Sequence, residues 1–332
     1  MEDLQKFTWL QQYIHTPYKI EQKENDEKVK ATPLGVLPRP LGVHERPRWT
    51  PLSKEEKTQR FLDEELRKER EDILKRVSGE AYYADFHKLS FHGGKRWIAP
   101  EQLIKEERSL YLPNLSGKTL ASSPAILSTG MGQDERRAQL MSLGPSIPTL
   151  DGKAHVAQLV RGNVSLVAIV NSQISHEQVK SWTSQIAERW RSHERFRFIH
   201  VNLQQNPLRT FLVSFFTSGL KKTIPRHFHQ TYILSYDNVD YIREAIGLEN
   251  KFVGHLYLVD WEGRIRWAGC GSPWNGDNSV STAGHMLPIP EGGPSGQVAE
   301  GIVQGLGEVQ RLERCLQVLM TRLDALTRTG KI

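Results

Sequence analysis

Three features mark this 332-residue chain as an α/β protein whose core is a βαβ unit followed by a ββα unit. Residues 166–170 (LVAIV) form a continuous apolar run biased towards β-branched residues, the pattern of a strand buried on both faces. Val179, Trp182, Ile186 and Trp190 then recur at helical spacing. Further on, residues 256–259 and 264–268 are apolar runs joined by Asp260-Trp261-Glu262-Gly263, a four-residue connection ending in Gly that reads as a hairpin.

Residues 1–53 read as a weakly structured segment. Pro33, Pro38, Pro40, Pro47 and Pro51 favour extended backbone over helix. Residues 54–77 read as one long helix, with Ser53 as N-cap and Glu56 as its capping-box partner. Eight acids and eight bases interleave along it, and Leu62, Leu66, Ile73 and Val77 leave only a narrow apolar stripe. A short strand pair is expected at 109–112 and 118–120, turning through Pro113 to Gly117. Residues 121–148 are rich in Ser, Gly and Pro and read as an insertion.

In the core, Ser175 is the expected N-cap of the first helix, with Gln178 at the capping-box position, and the helix runs to about Arg191. Residues 196–203 make a second strand. Asn206-Pro207 opens a second helix that ends near Gly219. Residues 231–235 follow as a strand, and 239–246 as a short helix stopped by Gly247. Residues 272–297 read as another insertion, and a final helix covers 298 to about 327 with Leu at helical spacing. This succession is the layout of the thioredoxin fold. The expected domains are therefore the proline-rich segment 1–53, a charged helical arm and linker at 54–107, and a thioredoxin-like domain at 108–332.

Catalysts of that fold place a reactive Cys after the first core strand, where the helix N-terminus favours its thiolate. Here that place reads Asn171-Ser172-Gln173-Ile174-Ser175. The segment before the hairpin, 251–254 (KFVG), also lacks the Pro that such enzymes hold in cis. Both departures point away from catalysis. Cys270 and Cys315 are too few for a disulfide framework or a zinc cage and read as small buried residues. Gly117-Lys118-Thr119 is rejected as a P-loop end, because Leu112 stands where the motif needs Gly. His227 and His229 lack accompanying acids or thiols, so no metal and no cofactor is expected.

Mean hydropathy is −0.50, and no run reaches the roughly 18 apolar residues of a spanning helix. The first 30 residues include Glu2, Asp3, Glu21, Glu24, Asp26 and Glu27, unlike an Arg-rich import presequence. The formal net charge is +6, and the stretch 191–230 carries all of it: seven basic residues against Glu194 alone. So local an excess speaks of partners rather than of fold. The apolar helix inside this stretch, with Phe215 and Phe216, is flanked by Arg209, Lys221, Lys222 and Arg226. These residues are the candidate contacts for a partner or an anionic membrane surface, where each basic residue is worth about 1 kcal/mol.

Four blocks carry a family likeness: DFHKLSFHGGKRWIAP (85–100), LYLPNLSGKTL (110–120), VNLQQNPLR (201–209) and GHLYLVDWEGRIRWAGCG (254–271). In order and content they resemble the ATP10 family of mitochondrial F-type ATP synthase assembly factors, over about 38–271. Arg264, Arg266, Trp267 and Gly269 are the motif residues of the last block. The resemblance implies a thioredoxin-like chaperone without redox chemistry, peripheral on the matrix side of the mitochondrial inner membrane. Its client would be subunit a, held until it joins the c ring, and no nucleic acid is expected as a partner. The rival functions are a thioredoxin- or peroxiredoxin-like oxidoreductase using Cys270 and a nucleic-acid-binding mitochondrial factor using the cationic stretch.

Overall fold

A computed structural model describes residues 34–48, 55, 89, 92–121, 153–204, 219–237, 239, 242–274 and 307–330. Its frame is a seven-stranded sheet: β1 (Ser116–Thr119), β2 (Ala154–His155), β3 (Val164–Val170), β4 (Phe196–Leu203), β5 (Tyr232–Ser235), β6 (His255–Val259) and β7 (Ile265–Cys270), in the order β2-β1-β5-β4-β3-β6-β7. The helices are α1 (Val156–Val160), α2 (Gln173–Trp190) and α3 (Glu308–Arg328).

Strands β3 and β4 are parallel and joined by α2. Strand β6 runs antiparallel to β3, β7 antiparallel to β6, and α3 closes the unit. The order β4-β3-β6-β7 with these directions is the thioredoxin topology that the element succession predicts. Every residue of β3 is buried, as a central strand covered on both faces requires. On one face Leu166, Ala168, Leu256 and Leu258 pack against Val179, Trp182 and Ile186 of α2 and Leu312, Leu316 and Leu319 of α3. On the other face Val167, Ile169, Ile199 and Val201 pack against Leu159 of α1, Leu41, Trp97 and Ile246. The period of two along each strand thus sorts its side chains between two cores.

Several expectations change. Residues 109–112 do not pair with 118–120; the two stretches go to opposite halves of the sheet. Strand β1 lies between β2 and β5. Tyr111 instead bridges Val43 and Arg264, and Leu110 accepts from the Ile265 N–H (2.7 Å), along β7. Pro113, without an N–H, separates the two stretches.

The N-cap of α2 is Ser172 rather than Ser175. The Ser172 hydroxyl accepts from the Ser175 N–H (3.1 Å), and the Ser175 hydroxyl accepts from the Ser172 N–H (2.9 Å). Ser175 therefore fills the N3 role usually taken by Glu or Gln. The expected helix over 239–246 is, among its described residues, a series of turns ending at Gly247. Residues 34–48 and 92–107, expected in the tail and linker, bear on the core through Leu41, Trp97, Ile98 and Ala99. The charged helix over 54–77 lies outside the described residues except Glu55, and nearly all of the helix over 206–219 does too.

Candidate functional site

The end of the sheet where redox members of this fold keep their thiols is formed here by Ser172 and Ser175, the 251–254 loop, the end of β7 and the start of α3. Gln178 on α2 ties this end together: its amide donates to the Gly93 carbonyl (2.9 Å), and its carbonyl accepts from the Gly254 N–H (2.8 Å). The Ser172 hydroxyl donates to the Phe252 carbonyl (3.2 Å). Gly254 sits so close to α2 that a Cβ there would lie 2.5 Å from the Ser175 carbonyl oxygen. Only a residue without a side chain fits between the helix and the strand.

Above this junction lies a buried ion pair that sequence reading missed. The Lys95 ammonium is 2.7 Å from the Glu308 carboxylate, with side-chain exposures of 5% and 0%. Lys95 also donates to the carbonyls of Cys270 (3.1 Å) and Ser272 (3.0 Å), and its charge lies 5.0 Å over the Trp182 ring. Glu308 accepts from the backbone N–H groups of Ala99 (2.6 Å) and Trp274 (2.5 Å). As the first residue of α3 its charge also meets the favourable end of the helix dipole.

Cys270 is fully buried behind this pair, where its sulfur accepts from the Arg96 N–H (3.4 Å). Burial pushes its thiol up, against the opposing pull of Lys95. Cys315 is buried on α3, and desolvation pushes its thiol up to about 11. Neither has the depressed thiol of a redox nucleophile.

The four motif residues of the last block are placed in and against the core. A register shift at Leu258/Val259 leaves Arg266 as an extra residue on β7, turning its side chain to a buried pair with Asp260 (3.0 Å) and to the Ile104 carbonyl (2.9 Å). Trp267 is buried edge-to-face against Trp182, centroids 5.6 Å apart, and donates to the Pro100 carbonyl (2.8 Å). Gly269 lets both rings approach; an added Cβ would meet Trp267 at 2.9 Å. Arg264 lies over the Tyr111 ring at 5.3 Å. Gly117-Lys118-Thr119 lies within β1.

Of the candidate contact residues, Lys221, Lys222 and Arg226 are brought together, whereas Arg209, Phe215 and Phe216 lie outside the described residues. With His227 and His229, the first three line a cleft of about 790 Å³. Its turn, Arg226–Phe228, is held by Phe228 edge-on to Phe198, centroids 5.5 Å apart. Beneath it His176, His200 and Tyr232 stack in a ladder, with His200 4.7 Å from Tyr232. Burial pushes the Tyr232 phenol up to about 12. The other described cations of the stretch are committed elsewhere: Arg195 to the Gly162 carbonyl, Arg197 to the Glu194 carbonyl and Arg191 to Glu188. No group of three or more His, Cys, Asp or Glu residues suited to a metal occurs among the described residues.

A thioredoxin core with serines at the thiol positions and a charged strap across that end defines a thioredoxin-like protein outside the dithiol pattern. Comparison with known proteins gives the particular family: the sequence model described as "ATP10 protein" matches residues 18–132 and 146–284, and the chain belongs to that family. The Schizosaccharomyces pombe protein named "Probable mitochondrial ATPase complex subunit atp10" is 27% identical over 261 residues, covering 76% of this chain and 82% of its own. The Candida glabrata protein named "Mitochondrial ATPase complex subunit ATP10" is 26% identical over 272 residues, covering 79% and 85%. Among solved structures, a DsbF homologue from Corynebacterium diphtheriae aligns over 50% of this chain and 81% of its own, at 10% identity and a TM-score of 0.29.

Proposed function

We propose that this protein is a non-enzymatic assembly factor of the mitochondrial ATPase complex. It binds subunit a on the matrix side of the inner membrane and hands it to the c ring. Membership of the ATP10 family, extending over most of the chain, is the observation that carries this reading. The thiol positions support it, because Ser172 and Ser175 spend their hydroxyls on capping α2. In this reading the fold serves binding, and the cations around Lys221 and Lys222 hold the protein peripherally on anionic lipid. Among the described residues no helix is long and apolar enough to cross a membrane.

Depletion of the protein tests the function. The expected result is an ATP synthase in which newly made subunit a fails to join the c ring and is degraded. Normal assembly would overturn the proposal. Complementation with a Cys270→Ser, Cys315→Ser double variant is expected to restore assembly, and failure of this folded variant to do so would favour thiol chemistry.

A further inference from the structure

We propose that the cleft at Lys221, Lys222 and Arg226 is a discrete site for the headgroup of an anionic phospholipid, and that it favours a headgroup with two phosphodiesters. This rests on the reading that the protein docks at anionic lipid, and it specifies what is recognised there.

Attraction to a charged surface needs no concavity, yet these cations converge on a cleft of about 790 Å³. They come from two elements: Lys221 and Lys222 from the end of a helix at 219–223, and Arg226 from the turn that follows Pro225. The connection is fixed by the Ile224 N–H donating to the Leu220 carbonyl (2.8 Å) and by a 2.9 Å contact of the His229 imidazole with the Ile224 carbonyl. The charges are therefore presented on a short, braced frame. Among the described residues no carboxylate lines the cleft, and the acid beside it, Glu188, lies 3.5 Å from His227. None of the three cations pairs with a carboxylate among the described residues.

The donor set fits phosphate. Arg226 offers a planar fork for two oxygens of one phosphodiester, and the two lysines add compact charges for a second. Two phosphodiesters carry two negative charges, which three cations balance with one in excess. Clustered Lys and Arg at a membrane surface attract the phosphate headgroups of anionic lipids. Leu120 also lines the cleft, and it is fully buried in an apolar cluster with Tyr232 and Leu234 that backs the cationic turn.

Flotation of the full-length protein with vesicles tests the site. One set contains phosphatidylcholine and cardiolipin, and the other phosphatidylcholine and phosphatidylserine at equal total charge. The expected result is half-maximal flotation at several-fold less lipid with cardiolipin. Arg226→Gln is expected to weaken cardiolipin binding about fivefold, and Lys221→Gln with Lys222→Gln more, bringing both sets to the same level. The substituted side chains are exposed or half-exposed, and circular dichroism verifies their folding. Equal flotation with both sets, equally reduced by the substitutions, would overturn the headgroup site while leaving peripheral docking intact. Flotation with neither would overturn both. Complete release from cardiolipin vesicles by millimolar inorganic phosphate at constant ionic strength would assign the cleft to a free anion and also overturn the proposal.

Discussion

Replacing Lys95 by Met keeps the length of the side chain and removes the cation 2.7 Å from Glu308. The carboxylate is then left at 0% exposure with two backbone N–H partners and no counter-charge. Removing one member of a buried pair costs roughly 3–5 kcal/mol, because the partner cannot regain water. The carbonyls of Cys270 and Ser272 lose a donor as well. At roughly 2–4 °C per kcal/mol for a domain of this size, the midpoint should fall by roughly 10 °C. Urea denaturation followed by tryptophan fluorescence is a suitable assay, since Trp182 lies directly under Lys95. The double variant Lys95→Met, Glu308→Gln should lose less than the two single variants together, with a coupling of roughly 1–3 kcal/mol. A Lys95→Met protein within about 0.5 kcal/mol of wild type, or additive behaviour in the double variant, would refute this account of the junction.

Burial holds His255 down to about 4, so the folded state resists a proton that the unfolded chain accepts near its ordinary value. Its contribution to stability is complete above about pH 6.5 and is lost as pH falls towards 4, by about 3 kcal/mol. Burial also lowers His176 and His200, adding loss of the same sign, and an unchanged pH slope in His255→Gln would contradict the assignment. Gly254→Ala should destabilise by about 1–3 kcal/mol, because its Cβ would press on the Ser175 carbonyl, and equilibrium unfolding measures it. Ser172→Ala should cost about 0.5–2 kcal/mol by removing the cap of α2, again read from the unfolding midpoint. Cys270 and Cys315 should resist iodoacetamide at pH 8 in the native state and react on unfolding; rapid native labelling of Cys270 would show that its shelter opens.

The parts legible in the sequence are those whose burial leaves a local pattern. Strands β3 and β4 and the β6-β7 hairpin fall within a residue or two of expectation, because an apolar run or alternation marks each one. Strand β2, two residues long, is too short to show a period. The cap shifted from Ser175 to Ser172 because a hydroxyl at N3 reciprocates as Glu would, and both candidates are serines. The pair of Lys95 and Glu308 is invisible to pattern reading: its members come from opposite halves of the chain, and isolated charges normally signal exposure. The charge excess at 191–230 is plain in the sequence, yet its described arginines divide between backbone carbonyls, an ion pair and the cleft, which only the folded arrangement reveals.

The outer margin of β7 has a consequence for the proposed role. Its carbonyls at Arg266, Ala268 and Cys270 are taken in turn by the Ile104 N–H, the Trp97 indole and the Lys95 ammonium. The sheet's other margin ends in the two residues of β2. An exposed β7 would offer a template on which unfolded segments could add as extra strands and grow into aggregates. Closing it with one amide, one ring, one charge and the short bridge at Leu110 and Tyr111, rather than with a full strand, makes the margin too irregular to be copied. Under the proposed assembly role, such a margin would guard the protein against capturing membrane segments in the wrong way.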